Sequence, residues 1–195
     1  VSSNLFVGGE GAAAVGNDYP ERAASAPLAY NAHWDAPVPA WGVGVTVAVH
    51  TSAATLPILA FGTEEQKQRF VPALARGEVI GAFALTEPDA GSDAGSLRTA
   101  AVPEGDGWRI NGSKQWITNG SYAGTFVLFA RTDQSTAGPR GISAFILDSE
   151  HVIVTREAEK LGLNSSSTAD LRIDGALVGR ERLLHEERKG FAVAM

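Results

Sequence analysis

The sequence predicts an α+β fold in which a few helices precede a mainly antiparallel β-barrel or β-sandwich. Helix signals are concentrated before Gly77. From Val79 onward the apolar residues recur at every second position, in short runs separated by turns rich in Gly, Asp and Asn. Many short strands joined by such turns are typical of antiparallel barrels and sandwiches.

Composition narrows the possible functions. The chain has 195 residues, enough to form one domain, or one domain and part of another. Its net charge of -6 argues against nucleic-acid binding, and the absence of cysteine excludes disulfides, thiolate metal sites and cysteine nucleophiles. The four histidines show no metal-ligand spacing, so we predict no metal site. No apolar run approaches about 18 residues, so we expect no membrane span.

The N-terminal part of the chain is predicted to be irregular over residues 1–44. Four prolines fall between residues 17 and 44, with no sustained helical or alternating pattern around them. After this irregular segment, a helix is predicted over residues 50–59.

A second helix is predicted to begin after Thr63. Gln66 stands three residues later, which is the spacing of a capping box. We expect Pro72 to kink this helix or to restart it. Gly77 is the expected stop.

Strands are predicted for most of the remaining chain. The sequence 104–107 reads as a hairpin turn, and Asn111-Gly112 reads as a second tight turn. Residues 125–132 and 141–148 are nearly all apolar and are expected to be buried. The predicted strands cover residues 79–87, 97–102, 108–111, 114–118, 125–132, 141–148, 152–155 and 168–173. Residues 186–195 resemble the beginning of another helix.

Two segments, 83–93 and 114–120, carry the chemistry. Each joins a strand-like run to a turn of small residues. Together they supply hydroxyl groups, backbone amides and the large aromatic ring of Trp116. Such groups suit a planar ring with a polar edge and attached phosphates.

In these segments the chain resembles the acyl-CoA dehydrogenase family of flavoproteins. Five blocks carry the resemblance, and their order and spacing follow the family from about residue 45 to residue 195. They are residues 61–67, 82–93, 111–120, 140–145, and 159–162 with 165–168.

The resemblance implies a three-domain architecture, of which this chain would hold a part. Residues 1–78 would be part of the N-terminal helical domain, and residues 79–184 the whole flavin-binding middle β-domain. Residues 185–195 would begin the C-terminal helical domain, and the rest of that helical bundle would be missing.

The implied function of the full-length protein is FAD-dependent α,β-dehydrogenation of an acyl-CoA thioester. Its partners would be the acyl-CoA substrate and an acceptor that resembles electron-transfer flavoprotein. The full-length protein would form a homo-oligomer in the cytoplasm or the mitochondrial matrix. The family's catalytic carboxylate lies in the C-terminal domain, so no catalytic residue is assigned, and this chain alone is expected to be inactive.

The resemblance also implies a set of cofactor-binding residues. Gly91 and Ser92 would let the backbone approach the pyrophosphate of FAD. Ser92 would also contact the acyl-CoA. The others lie around the flavin ring, where Trp116 covers part of the ring and the Thr118 hydroxyl points toward N5 and O4. The ring-side residues are Phe83, Leu85, Thr86, Trp116, Ile117 and Thr118.

Three alternatives stay open at this point. Each piece alone permits a structural role: Trp116 as a core residue, and Lys114 and Arg109 as solvated strand charges rather than contacts to substrate phosphates. The chain could be a catalytically inactive β-domain that acts as a binding or structural module. It could also belong to a flavin oxidase or monooxygenase on the same scaffold.

Glu87 lies within the first motif segment, and it is expected to have a structural role.

Overall fold

The computed structural model describes the backbone of residues 40–195 and the side chains from Gly42 onward. The helical elements are α1 (Ala40–Val49), a π-helical segment (His50–Thr55), α2 (Leu56–Phe61), α3 (Glu64–Ala75) and the short α4 (Gly190–Ala194). The strands are β1 (Gly81–Ala84), β2 (Ala100–Glu104), β3 (Gly107–Thr118), β4 (Thr125–Arg131), β5 (Ile142–Asp148), β6 (Ile153–Glu157), β7 (Thr168–Gly179) and β8 (Leu183–Leu184). The predicted α+β fold is confirmed.

The irregular segment predicted for residues 1–44 is described only at its end. Residues 1–39 lie outside the described residues. The segment from residue 40 to residue 44 already belongs to α1, so the prediction is wrong there. The prolines of this segment stop at Pro39, and residues 40–56 all carry the backbone N–H that a helix needs.

One helical stretch in the described part of the chain, Gly42–Phe61, is long and apolar enough to cross a membrane by length and composition alone. Thr, Ser and His interrupt its apolar runs, so the sequence pattern did not predict a stretch of this length. Core helices of globular proteins meet the same criterion, so it is weak evidence of a span. Within this stretch, His50 and Ala54 are buried against β1.

Helix α3 begins with the predicted capping box. The Gln66 N–H donates to the Thr63 hydroxyl at 3.2 Å, and the Thr63 N–H donates to the Gln66 side chain at 3.0 Å. The helix continues through Pro72 to Ala75, so it does not restart at the proline. It ends where predicted, because Gly77 adopts a φ of 71° that favours glycine.

The strands form one open, mixed sheet. Its order is β6-β7-β3-β2-β4-β5-β8, and β1 pairs in parallel with β4 beside this path. Along the seven-strand path, neighbours are antiparallel except for one parallel contact between β2 and β4. The sheet does not close into a barrel, but it curls enough to bring Trp108 of β3 against Phe145 of β5, with ring centroids 5.3 Å apart.

A tight turn at Asn111-Gly112 is not present. Strand β3 runs through this point and pairs with β7 on both sides, with an irregularity between Ile110 and Gly112. The glycine is explained by close packing, since a Cβ at Gly112 would lie 2.3 Å from the Thr99 hydroxyl oxygen. Asn111 accepts a hydrogen bond from the Gly175 N–H at 2.8 Å, so both residues serve the sheet rather than a turn.

Most predicted strands are present with shifted ends. The first predicted strand, 79–87, is shorter in the structure, where β1 covers only Gly81–Ala84. Beyond its C-terminal end, the backbones of Glu87 and Ala90 bond to each other and close a turn. The last long strand, β7, continues six residues beyond the predicted end at Ile173 and reaches Gly179. The hairpin turn between β2 and β3 is confirmed.

Two cores lie on opposite faces of the sheet. Strand β4 shows why, since Phe126 and Leu128 face the core inside the curl, whereas Val127 and Phe129 face the helices. The strand is buried from Thr125 to Ala130, and β5 is buried in the same way, as predicted. On the helix side, α2 and α3 contribute Ile58, Phe70 and Leu74 to the second core.

His50 joins the helices to the first strand. Its Nδ1 accepts a hydrogen bond from the Gly81 N–H at 2.9 Å, and its Nε2 lies 3.0 Å from the Leu74 carbonyl oxygen. This pair of contacts requires a neutral ring with the proton on Nε2. Burial lowers the pKa of His50 below 6.5, although the contact with Leu74 partly offsets the effect. The ring therefore fixes the position of β1, which leads into the first motif.

Candidate functional site

The two motif segments meet in space. The Gln115 N–H donates to the Thr86 carbonyl at 2.9 Å, and Lys114 Nζ donates to the Leu85 carbonyl at 3.1 Å. Residues 85–86, which follow β1, therefore lie beside the end of β3. The segments are far apart in sequence, so only the sheet brings them together.

A buried ion pair lies beneath this junction. Lys114 Nζ is 2.7 Å from a carboxylate oxygen of Glu87 and also donates to the Phe129 carbonyl at 2.7 Å. With the Leu85 carbonyl as the third acceptor, every ammonium proton has a partner. Burial lowers the pKa of Lys114, and Glu87 counteracts this effect. The interpretation of Lys114 as a solvated strand charge is therefore wrong.

Glu87 closes the loop that carries Gly91 and Ser92. One carboxylate oxygen accepts from the Thr99 N–H at 2.9 Å, and the other accepts from the Arg98 N–H at 2.6 Å. Burial alone would raise the pKa of Glu87, but Lys114 and the two amides outweigh it and hold the pKa below its usual value. The carboxylate thus ties both ends of the loop to β3, which agrees with the structural role expected for Glu87.

Trp116 is the most exposed aromatic residue at the junction. Its side chain is 60% exposed, so the alternative that it is a core residue is wrong. Its backbone has a φ of 57°, which is rare for a bulky residue. In sequence, Trp116 directly follows Gln115, whose N–H donates to the Thr86 carbonyl.

The polar residues of the predicted set are open to a ligand. Thr86 and Thr118 are partly exposed, and Ser92 is exposed. Their three hydroxyls make no hydrogen bond to any residue that the structure describes. A Cβ built on Gly91 would meet nothing within 4 Å, so a ligand can approach the backbone of this loop.

The apolar residues of the predicted set serve mainly the cores. Phe83 packs on Phe129 with ring centroids 4.8 Å apart, and Leu85 packs against the same helix-side core. Ile117 is 2% exposed and lies in the core inside the curl. Its side chain cannot reach a surface ligand, so any contact from Ile117 would come from its backbone.

The serine-rich turn and Arg109 were both predicted to have structural roles. The serine-rich turn before β7 is present, with Ser165, Ser166 and Ser167 buried and Lys160 bonded across it to Thr168. Arg109 forms an ion pair with Glu104 across the β2–β3 hairpin and is partly exposed, as expected for a solvated strand charge. The serine-rich turn adjoins the end of β3, where Thr168 pairs with Thr118 and the Asn119 N–H donates to the Ser167 carbonyl at 3.1 Å.

Two further features lie away from the motifs. A cavity of about 450 Å³ opens between α3 and β8, and no predicted site residue lines it. Within the described residues, Asp148, Glu150 and His151 bring ligand-type atoms within 4.8 Å of one another. Only one of these three residues is a histidine, so the spacing of histidines in the sequence gives no sign of the group. Asp148 is already paired with Arg182 at 2.5 Å, so the group carries no argument for a metal.

Comparison with known protein families accounts for this arrangement. The sequence model described as the acyl-CoA dehydrogenase N-terminal domain matches residues 38–78, and the model of the acyl-CoA dehydrogenase middle domain matches residues 82–176. The chain belongs to the acyl-CoA dehydrogenase family. Both motif segments fall within the match to the middle domain.

Individual members of the acyl-CoA dehydrogenase family show the same similarity. The short-chain specific acyl-CoA dehydrogenase of Clostridium acetobutylicum is 48% identical over 154 residues, which are 78% of this chain and 40% of that protein. The structure of butyryl-CoA dehydrogenase from Megasphaera elsdenii matches with a TM-score of 0.76 at 36% identity, over 97% of this chain and 49% of that one.

A third match concerns the cofactor. The structure of an acyl-CoA dehydrogenase complexed with FAD from Bacillus anthracis matches with a TM-score of 0.73 at 37% identity, over 92% of this chain and 32% of that one. The chain spans about 40% of the length of two curated bacterial relatives and 25% of the human very long-chain specific acyl-CoA dehydrogenase.

Proposed function

We propose that this chain carries the flavin-binding middle domain of an FAD-dependent acyl-CoA dehydrogenase. The full-length protein would catalyse α,β-dehydrogenation of an acyl-CoA thioester. The observation that carries the proposal is the contact between the two motif segments, which sets an exposed Trp116 beside Thr86. Membership of the acyl-CoA dehydrogenase family supports the same reaction.

The groups at the junction fit FAD. A flavin has apolar faces and a hydrogen-bonding edge, and the junction offers an exposed indole together with hydroxyls that have no partner in the described residues. The open backbone at Gly91 suits the approach of a pyrophosphate. When bound, FAD would accept the hydride that leaves the substrate's β-carbon.

Each exposed residue would have a defined role toward this cofactor. Thr86 would bond to the pyrimidine edge, with Phe83 and Leu85 supporting it from the helix-side core. Gly91 and Ser92 would hold the pyrophosphate, and Ser92 would also contact the acyl-CoA.

The end of β3 would face the reactive part of the ring. Trp116 would cover part of the ring, and Ile117 would contribute its backbone. The Thr118 hydroxyl would donate toward N5 and O4, where a donor stabilises the arriving negative charge.

No residue of this chain is proposed as the catalytic base. The buried carboxylate nearest to the junction, Glu87, is already occupied by Lys114 and two backbone amides. A base must reach the proton it removes, and Glu87 cannot do so from this position. We propose that the base belongs to the C-terminal domain of the full-length protein.

The partners of the full-length protein are likewise proposals. They are an acyl-CoA substrate, an acceptor that resembles electron-transfer flavoprotein, and further copies of the chain in a homo-oligomer. The proposed location is the cytoplasm or the mitochondrial matrix.

Titration with FAD tests the cofactor site. The 195-residue chain is titrated, and the spectrum of protein-bound flavin is followed for the wild type and for Trp116→Ala and Thr118→Ala. We expect each substitution to weaken binding about tenfold, the effect of losing one good contact. Leu177→Ala is the control, since Leu177 is 55% exposed on β7 and has no proposed role. Equal affinity in all four proteins would show that the proposed site is wrong.

Reactions of the bound flavin distinguish a dehydrogenase from the two alternatives, an inactive binding module and a flavin oxidase. Bleaching of bound flavin by an acyl-CoA thioester, measured anaerobically on the full-length protein, would exclude an inactive binding module. Rapid reoxidation of the bleached flavin by oxygen would favour an oxidase over a dehydrogenase.

A further inference from the structure

Trp116 lies in a β-bulge at the end of β3. On the β7 side, Lys114 pairs with Leu171 and Ile117 pairs with Ala169. Gln115 and Trp116 therefore lie opposite a single residue, Asp170. A bulge of this kind redirects side chains and is common next to binding sites.

The bulge leaves two backbone N–H groups without partners in the β3–β7 ladder. The Gln115 N–H turns to the Thr86 carbonyl at 2.9 Å, which joins the two motifs. The Trp116 N–H donates to a carboxylate oxygen of Asp170 at 3.2 Å. Because Trp116 has a φ of 57°, which bulky residues rarely adopt, a specific contact is needed to keep it in this conformation.

Asp170 is itself held from its other side. Arg156 of β6 is its cross-strand neighbour and donates to the second carboxylate oxygen at 2.7 Å. The neighbouring Thr155 hydroxyl donates to the Asp170 backbone carbonyl at 3.0 Å. The Asp170 side chain is only 17% exposed, so its carboxylate has one orientation, with one oxygen on each neighbouring strand.

We propose that Asp170, oriented by Arg156, is a positioning residue that sets the direction of the Trp116 indole. The inference deepens the proposed flavin site and rests on it for its functional part. Asp170 touches no cofactor in this proposal. It acts through the backbone of Trp116, and it thereby determines which face the indole presents to the ring.

Fluorine NMR on the 195-residue chain tests this directly. The chain is labelled with 5-fluorotryptophan, and the Trp116 resonance is identified as the one missing in Trp116→Phe. In Asp170→Ala we expect this resonance to shift and broaden, while the resonance of Trp108 on the same strand stays in place. Asp170→Asn keeps an acceptor oxygen and should restore most of the wild-type spectrum.

Asp174→Ala is the matched control. Asp174 also lies on β7 and faces an arginine, Arg172, at 3.7 Å, but it is 64% exposed and has no contact with Trp116. Its spectrum should match that of the wild type. FAD titration of the same proteins should show about tenfold weaker binding for Asp170→Ala, and unchanged binding for Asp174→Ala.

The outcomes separate the two proposals. An unmoved Trp116 resonance in Asp170→Ala overturns the positioning role, whatever the flavin result. If the Trp116 resonance shifts in Asp170→Ala but the wild-type chain binds no FAD, the flavin site is overturned and the structural contact stands. If Asp170→Ala fails to fold, Arg156→Gln gives the answer, because it frees the carboxylate and should broaden the Trp116 resonance alone.

Discussion

Trp108 and Trp116 lie on the same strand, and their surroundings are opposite. Trp108 is 3% exposed, pairs in regular register with Val178, and packs edge-on against Phe145. Trp116 is 60% exposed and has left-handed backbone geometry. The first ring contributes to the core inside the curl, whereas the second is largely exposed.

The difference lies in the register of β3. Where the strand pairs one-to-one with β7, alternate side chains enter the core, as Trp108 and Ile110 do. At the bulge the alternation is broken, so a large aromatic residue can remain outside while Ile117 returns to the core. One end of the strand therefore packs into a core, and the other leaves an exposed ring at the proposed flavin site.

The largest effect on stability is expected for Trp108→Ala. Removal of a buried tryptophan leaves a cavity and should lower the free energy of unfolding by about 3 to 5 kcal/mol. Urea denaturation followed by circular dichroism measures the change. Trp108→Phe, which keeps most of the ring contact with Phe145, should lose much less. A loss below about 1 kcal/mol for Trp108→Ala would contradict the assignment of this ring to the core.

Lys114→Met tests the buried Lys114–Glu87 ion pair, whose lysine lies between Trp108 and Trp116 along β3. The variant leaves Glu87 buried without its cation, which typically costs about 3 to 5 kcal/mol of unfolding free energy. The double variant Lys114→Met with Glu87→Gln removes the unpaired charge and should recover part of that loss. The measurement is again urea denaturation. Equal stability of the single variant and the wild type would show that the pair is not buried in solution.

The free energy of unfolding is expected to depend on pH through two buried groups, His50 and Glu87. The folded pKa of His50 lies below 6.5, so its contribution is complete above pH 6.5 and is lost as the pH falls below that value. Glu87 adds a second loss, which begins below its ordinary pKa of 4.5 because its folded pKa is also lowered.

His50→Gln separates these two pH ranges. We expect the variant to be less stable at neutral pH but to lose the pH dependence near 6.5, while the acid loss below 4.5 persists. Thermal unfolding over a pH series measures both. A slope near pH 6.5 that survives in the variant would assign it to another group.

The smallest effect on stability is expected at Trp116. Trp116→Ala removes an exposed ring and should change the unfolding free energy by no more than about 0.5 kcal/mol. Trp116→Gly should be about 1 kcal/mol more stable than Trp116→Ala, since only glycine adopts a positive φ without strain. If urea denaturation ranks the two variants in the reverse order, the left-handed backbone is not present in solution.

Local patterns predicted the local features of the fold. The capping box at Thr63, the hairpin turn before Gly107 and the burial of β4 each depend on residues close together in sequence. The Asn111-Gly112 turn was predicted by the same kind of rule and is absent, because the glycine is required by Thr99, which lies on another part of the chain. Short-range rules fail where a distant residue decides.

The candidate site shows the same division. Sequence motifs identified Thr86, Ser92, Trp116 and Thr118, and the structure leaves these side chains open to a ligand. They did not reveal that Lys114 is buried, since its partner Glu87 is 27 residues away and a strand lysine is ordinarily solvated. They also gave no sign of Asp170, whose role depends on the bulge opposite it.

Residue types and spacing were enough to predict the family, most of the helices and strands, and the two segments that carry polar and aromatic groups. These follow from residue types and their spacing, which the chain carries wherever it folds. Only the tertiary structure decided which groups are available to a ligand. Burial, the Glu87–Lys114 pair and the direction of Trp116 depend on strand register and on contacts between distant residues, and these exist only once the sheet has formed.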